Sequence, residues 1–308
     1  MTTVAVVPFV ASLLLAVGGG WLGRRLPPAT ATRLLTAACL VTALATGFIL
    51  SVVAFTLLAP MPVLAAVGHW SATVVRGHDP LPATAGFLPA AVVAGLLAAA
   101  LRRTIAVGRD LAAAELTCRR LGPAPTGLVI VDDDRPDAYT LPGLTGRIVV
   151  STAMLRALPP DERRVLLAHE HSHLHHRHHA YTHLADLAAA ANPLLRSPAA
   201  AVRLAVERWA DEDAAAASGN RAVAVRALAR AGLARARTVA MPSAALGAAH
   251  TDLAHRARAL QQPPPKPQPV LTLILCALMV ATAAAALDTS HATERRFEHA
   301  QAAFAHRT

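Results

Sequence analysis

Leu158-Pro-Pro-Asp-Glu-Arg-Arg-Val-Leu-Leu-Ala-His-Glu-His-Ser-His173 is the stretch of the chain that decides its fold. Prolines followed by acidic residues are typical of a helix start, because negative charge is favourable near a helix N-terminus. We therefore expect a helix over residues 161–191, ended by Asn192-Pro193. His169 and His173 are four residues apart, so their imidazoles share one face and can bind one metal ion. Glu170 lies beside them, where a general base for a hydrolytic reaction would lie.

A catalytic zinc site needs a third protein ligand, and the sequence offers two candidates. His179 completes a longer histidine motif, but a continuous helix carries it about 9 Å along the axis beyond His173. Glu207 lies in Glu207-Arg208-Trp209-Ala210-Asp211, on a helix expected to fold back after the break at residue 192. The order helix, break, helix favours Glu207. Asp211, one turn further on, can accept a hydrogen bond from a ligand imidazole.

The region around the motif is unusually rich in histidine, which leaves a non-enzymatic alternative open. A biased run can match a short motif by chance and can also bind metal with low specificity. A His-rich, metal-binding membrane protein is therefore the rival interpretation, and it predicts several weakly bound ions instead of one tightly bound zinc. The histidines without an assigned role are 171, 175, 176, 178, 179 and 183.

The composition indicates a membrane protein. Hydrophobic residues make up 54% of the 308 residues and charged residues only 16%. Because about 20 apolar residues span a bilayer, we predict four transmembrane helices. They lie at about 4–22, 34–58, 87–101 and 269–287, and the first is expected to be a retained helix, since its arginines follow the apolar run.

The distribution of arginine predicts the orientation. Arg24, Arg25 and Arg33 lie in the first loop, and Arg102 and Arg103 follow the third span. The positive-inside rule then places both regions in the cytoplasm. We expect a membrane region over residues 1–102, a cytoplasmic metallopeptidase domain over 103–268 and a short extracytoplasmic tail over 288–308. The net charge of +10 is accounted for by this cytoplasmic face, so no nucleic acid partner is expected.

The segment between the third and fourth spans is predicted to be mainly helical with a small sheet. Strands are expected at 127–131, 138–141 and 147–151, and the last, which is the clearest, is the expected place for an extended substrate to add a strand. Helices are expected at 104–121, 199–217 and 221–237. The fold class is therefore mainly α: a helical membrane protein with a zincin-like α+β domain.

The two motifs together resemble a known family of proteins. An H-E-x-x-H helix followed by E-x-x-A-D on the next helix resembles the gluzincin membrane peptidases, of the HtpX-like and BlaR/MecR-like branches. The stretches from Ala138 to Ser151 and from Leu158 to Glu170 also resemble the segments that these proteins place before the zinc helix. Three spans before the domain and one after it resemble the BlaR/MecR type. About 20 residues follow Leu287 and contain no Ser-x-x-Lys motif, so the penicillin-binding sensor of that type is not expected.

The resemblance implies an activity and a role for each site residue. It implies a membrane-bound zinc endopeptidase that acts on a protein or peptide substrate, such as a transcriptional repressor, with HtpX-like quality control of membrane proteins as the alternative. One Zn²⁺ would be bound by His169, His173 and Glu207. Glu170 would be the general base, and Asp211 would support the ligands.

Overall fold

The structure is a computed structural model. It describes residues 3–77, 81–144, 146–237 and 243–305, with the backbone alone for residues 3 and 243–250. Within these ranges the chain is mainly helical, with one three-stranded sheet. This agrees with the fold class predicted from the sequence.

Four helices are long and apolar enough to cross a membrane, as predicted. They are α1 (Val7–Arg25), α2 (Pro28–Leu58), α5 (Phe87–Arg120) and α12 (Pro269–Ala305). Three of them are longer than expected, and α2 begins six residues before the predicted span. The helix predicted from residue 104 is the second half of α5, and the tail after residue 287 continues α12. In α5 and in α12 the apolar span continues into a polar extension. The described sequence between the two parts contains no proline or glycine pair that would end the helix.

Two short helices, α3 (Pro62–Gly68) and α4 (Ala72–Arg76), connect the second span to the third. They pack against the end of α12: the Ser71 amide donates to the Ala300 carbonyl at 3.0 Å, and the rings of Trp70 and Phe297 lie 5.1 Å apart. The connection and the tail therefore lie at one end of the bundle. The turn between α1 and α2 lies at the opposite end of α2, which is the arrangement that four crossings require.

The sheet contains the three strands that the sequence predicted. These are β1 (Leu128–Val131), β2 (Ala138–Leu141) and β3 (Arg147–Ser151), in the order β1-β3-β2. β3 pairs in parallel with β1 and antiparallel with β2. The expectation that the third strand adds a substrate strand is wrong, because β3 has a neighbour on both sides.

Six helices follow the sheet and precede α12: α6 (Thr152–Ala157), α7 (Pro160–His175), α8 (His178–Ala191), α9 (Arg196–Ser218), α10 (Arg221–Ala236) and α11 (Ser243–Leu260). The single helix predicted over residues 161–191 is wrong. It breaks at Arg177, which adopts a left-handed backbone conformation with φ of 51°. The argument that excluded His179 by its distance along a continuous helix therefore does not hold.

The hairpin of α8 and α9 packs among the membrane helices. Ala188, Val202 and Leu195 share one buried apolar core with Leu35 of α2 and Leu275 of α12. Burial of this apolar surface fixes the hairpin against the spans.

The tip of the hairpin reaches deep along α1. The Asn192 side-chain amide donates to Ser12 Oγ at 2.9 Å. Ser12 lies about 18 Å along α1 from Arg24, at 1.5 Å per residue. The helix that carries Glu207 is thus anchored within the span bundle.

Glycines allow α1 and α9 to approach closely. A Cβ atom added at Gly19 would lie 2.8 Å from Pro198 Cβ, and one at Gly23 would lie 3.0 Å from Ala201 Cβ. Such small-xxx-small spacing is typical of tightly packed membrane helices. Gly18, on the same helix, has open space at its Cβ position.

We predict that Gly19→Leu destabilises the protein, because the new side chain overpacks the contact with α9 at a cost of about 1–3 kcal/mol. The thermal unfolding midpoint of the purified protein in detergent should fall by several degrees. Gly18→Leu is the matched control and should leave the midpoint near that of the wild type. Equal midpoints for the two variants would contradict the close α1–α9 contact.

Candidate metal centre

α7 and α9 bring His169, His173 and Glu207 together. One ligand atom from each lies within 4.8 Å of the others. The two Nε2 atoms are 3.1 Å apart, and each lies 3.6 Å from an oxygen of Glu207. The spacing of four on α7 places both imidazoles on one face, and α9 presents Glu207 to that face.

These distances fit a zinc ion. Ligand atoms about 2.0–2.2 Å from a tetrahedral zinc lie about 3.4 Å from one another. The observed separations, 3.1 and 3.6 Å, bracket this value. Two imidazoles and a carboxylate also form a donor set that leaves one position open for water or substrate. Within the described ranges, these residues form the one group of three that can hold a metal ion.

Behind this group lies a buried network of charge. Asp211 Oδ1 is 3.1 Å from His169 Nδ1, the position expected for a partner that orients the ligand. Arg256 of α11 donates two hydrogen bonds of 2.7 Å to Asp211, and its Nη1 lies 2.9 Å from Glu207 Oε2. Arg256 was not predicted from the sequence, because it lies 45 residues beyond Asp211, on a helix that was not predicted either.

The network shifts the pKa values of its members. Burial opposes a charge on His169, but hydrogen bonds to Asp211 and Glu207 outweigh it and raise the pKa of the imidazole to about 10. Burial also opposes charge on both carboxyl groups. Their hydrogen bonds to His169 or Arg256 still hold the pKa values of Glu207 and Asp211 below the usual range. In the metal-free protein, carboxylates and cations therefore stabilise one another.

Glu170 is buried next to the metal ligands. Its carboxylate accepts a 2.8 Å hydrogen bond from the hydroxyl of Thr140 on β2. It lines a pocket together with His169 and Glu207. Thr140 therefore ties the carboxylate to the edge of the sheet and leaves the second oxygen for other partners.

His178 is the second residue that the sequence analysis did not assign. Five residues apart on a continuous helix, His173 and His178 would point about 140° apart. The break at Arg177 brings their Nδ1 atoms to 3.0 Å instead. His178 is 1% exposed, and burial followed by the neighbouring histidines lowers its pKa to about 3. An uncharged His178 can accept a hydrogen bond from His173 Nδ1, which leaves His173 Nε2 facing the other ligands.

The remaining histidines lie outside the three-ligand group. His176 is 3.0 Å from Asp213 and stacks on Trp209, with ring centroids 4.3 Å apart. The rings of His179 and His183 face each other at 6.4 Å, so the alternative of His179 as third ligand receives no support. His171 and His175 stack on the exposed face of α7.

This chain combines helices that can span a membrane with a group of two histidines and one carboxylate that can hold a metal ion. These are the features of a membrane metalloprotein. The sequence profile of peptidase family M48 matches residues 102–202, about a third of the chain. The match contains His169 and His173 and ends five residues before Glu207. It supports a zinc metallopeptidase of that family, and hence a hydrolase. Searches among curated proteins and among solved structures returned no match.

We predict that Arg256→Met lowers zinc affinity about 10–100-fold, the usual effect of losing support for metal ligands. The variant leaves the carboxylates of Glu207 and Asp211 without their cation. Zinc affinity is measured by competition with a fluorescent chelator. Arg258→Met, on the exposed face of the same helix, should bind zinc like the wild type, and equal affinities for the two variants would argue against this role.

Zinc binding should release at least one proton at pH 7.5, one from His169 and up to about one more from water that the zinc acidifies. With its pKa raised to about 10, His169 is protonated in the metal-free protein at this pH, and it must lose that proton to donate its lone pair. His173, whose pKa is lowered by burial, is already neutral and releases none. Calorimetric titrations in two buffers of different ionisation enthalpy give the number of protons, and a value near zero is incompatible with this charge state.

Proposed function

We propose that this chain is a membrane-bound, zinc-dependent endopeptidase. The observation that carries the proposal is the group of His169, His173 and Glu207, with Glu170 in the same pocket. The profile match over residues 102–202 supports the same chemistry. A non-enzymatic metal carrier would not require a buried carboxylate held beside the ligands.

In the proposed site one zinc ion is bound per chain, by His169, His173 and Glu207. When bound, it supplies Lewis acidity, which acidifies water and polarises a carbonyl group. Glu170 accepts a proton from the attacking water and then delivers it to the leaving amine. Asp211 and Arg256 hold His169 and Glu207 in position. Thr140 holds the Glu170 carboxylate.

An apolar pocket beside the centre supports a peptide as substrate. It has a volume of about 130 Å³, and it is lined by His169 and Glu170 on one side. Glu207, Asp211, Arg235 and Arg256 also line it, and the remaining residues are apolar, including Met154, Ala227 and Leu228. A side chain next to the scissile bond would bury its apolar surface in this pocket, so we expect cleavage next to a hydrophobic residue.

The proposed location is the cell membrane, crossed several times. Three spans precede the catalytic region and one follows it. Together with the arginine-rich first loop, this arrangement supports a cytoplasmic catalytic domain over residues 103–268 and a BlaR/MecR-like role. The substrate in that role is a regulatory protein such as a transcriptional repressor.

Glu170→Gln should lower the kcat of peptide cleavage by about 10²–10⁴-fold. The variant should retain one zinc per chain. The amide keeps the shape of the side chain but cannot accept the proton. Activity is followed with fluorogenic peptides, and zinc by mass spectrometry of the metal. His171→Gln changes an exposed neighbour and should keep full activity. If Glu170→Gln cleaves as fast as the wild type, Glu170 is not the base.

The class of substrate is tested in cells by quantitative proteomics of wild type against Glu170→Gln. A regulatory role predicts one or a few proteins that accumulate in the variant, together with altered transcription of their targets. Broad accumulation of damaged membrane proteins would instead support quality control.

A further inference from the structure

A large chamber adjoins the metal centre on the side that faces the membrane helices. It has a volume of about 1080 Å³, above the usual range of about 300–1,000 Å³ for small-molecule pockets. Its lining runs from Arg24, at the end of α1, to Glu207 and Arg256 in the metal centre. A peptide bound at the centre therefore extends into this chamber.

The chamber is rich in positive charge. Three carboxylates line it: Asp186, Glu207 and Asp252. Against them stand five arginines: 24, 103, 203, 235 and 256. This excess of positive charge does not include the charge of a zinc ion. A cleft of one charge sign raises the local concentration of groups of the opposite sign.

Two of the five arginines are already engaged elsewhere. Arg256 binds Asp211 and Glu207, and Arg235 binds Asp137 and the carbonyl of Ala138. Their charges are therefore largely compensated. The excess positive charge lies with the other three arginines.

Arg103 and Arg203 share a single carboxylate. Both guanidinium groups pair with Asp186, Arg103 at 2.8 Å. The Nε atom of Arg103 is buried and has no hydrogen-bond acceptor. Across the chamber, Arg24 has no carboxylate within ion-pair distance among the described parts of the chain. Three guanidinium groups thus face the chamber against two carboxylates, Asp186 and Asp252, which leaves an excess of positive charge.

We infer that this chamber binds an acidic side chain of the peptide substrate. The inference rests on the proposed peptidase function and names its specificity. Arginine matches a carboxylate with two parallel hydrogen bonds, and these are stronger than bonds between neutral groups. An anionic lipid headgroup shares this chemistry. Continuity of the chamber with Glu207 favours the peptide, because residues flanking a scissile bond at the centre must enter the chamber.

The test uses the zinc-loaded, full-length protein in neutral detergent and a set of fluorogenic peptides. Each position around the cleavage site carries either Glu or Gln, and mass spectrometry locates the cut. At one or two positions on one side of the scissile bond, Glu should raise kcat/KM about tenfold over Gln. Arg24→Gln and Arg203→Gln should bring this ratio close to one. Arg25→Gln is the matched control, because Arg25 lies over the Trp21 ring outside the chamber, and it should keep the wild-type ratio.

The outcomes separate the inference from the proposed function. Equal cleavage of Glu and Gln peptides at every position, with Glu170→Gln inactive, would overturn the acidic specificity and leave the peptidase intact. A second outcome is that the arginine variants keep the wild-type ratio of kcat/KM for Glu and Gln peptides, but lose an activation by phosphatidylglycerol vesicles that the wild type shows. The chamber would then bind lipid, and the inference would be wrong. Cleavage of no peptide by the zinc-loaded wild type would overturn both.

Discussion

The pairing of one buried and one partly buried carboxylate with an imidazole and a guanidinium group supports the rest of the site. Glu207 and Asp211 lie one turn apart on α9; Asp211 is buried, and Glu207 is partly exposed to the chamber. Isolated charges in such a setting are costly unless they are paired and hydrogen-bonded. His169 and Arg256 satisfy this condition, one from each side. These pairs therefore fix the positions of α7 and α11 relative to α9.

The same helix that carries these carboxylates connects the centre to the membrane. Arg208 lies between Glu207 and Asp211 in sequence and points the opposite way, where its Nη1 donates to the Gly23 carbonyl at 2.8 Å. Trp209 lies between the guanidinium of Arg33 on α2 and the ring of His176. The helix α9 therefore contacts α1 and α2 on one face and the candidate ligands on α7 on another.

Much of the site followed from local sequence patterns. A spacing of four fixes His169 and His173 on one face of a helix, and a helix break before Glu207 allows α9 to fold back. The four apolar helices and the three strands also followed from composition and periodicity. Each of these features depends on neighbours within a few residues, so the sequence alone could specify them.

Features that depend on the meeting of distant segments could not be predicted in this way. Arg256 reaches the centre from α11, and no motif marks it. His178 reaches His173 only because Arg177 adopts a left-handed conformation, which is uncommon for a residue other than glycine. The depth of the α8–α9 hairpin among the spans was hidden as well, because an Ala-rich segment suits a soluble helix and a packed membrane helix equally.

The central claim is that one metal ion is bound between α7 and α9 by two imidazoles and a carboxylate. Anomalous diffraction at the zinc edge, from crystals of the zinc-loaded protein, tests it most directly. The account predicts a single strong peak bounded by His169 Nε2, His173 Nε2 and Glu207. Several peaks of similar height along the histidine-rich face, at His171 and His175 for example, would contradict it and support a metal-binding protein without peptidase activity.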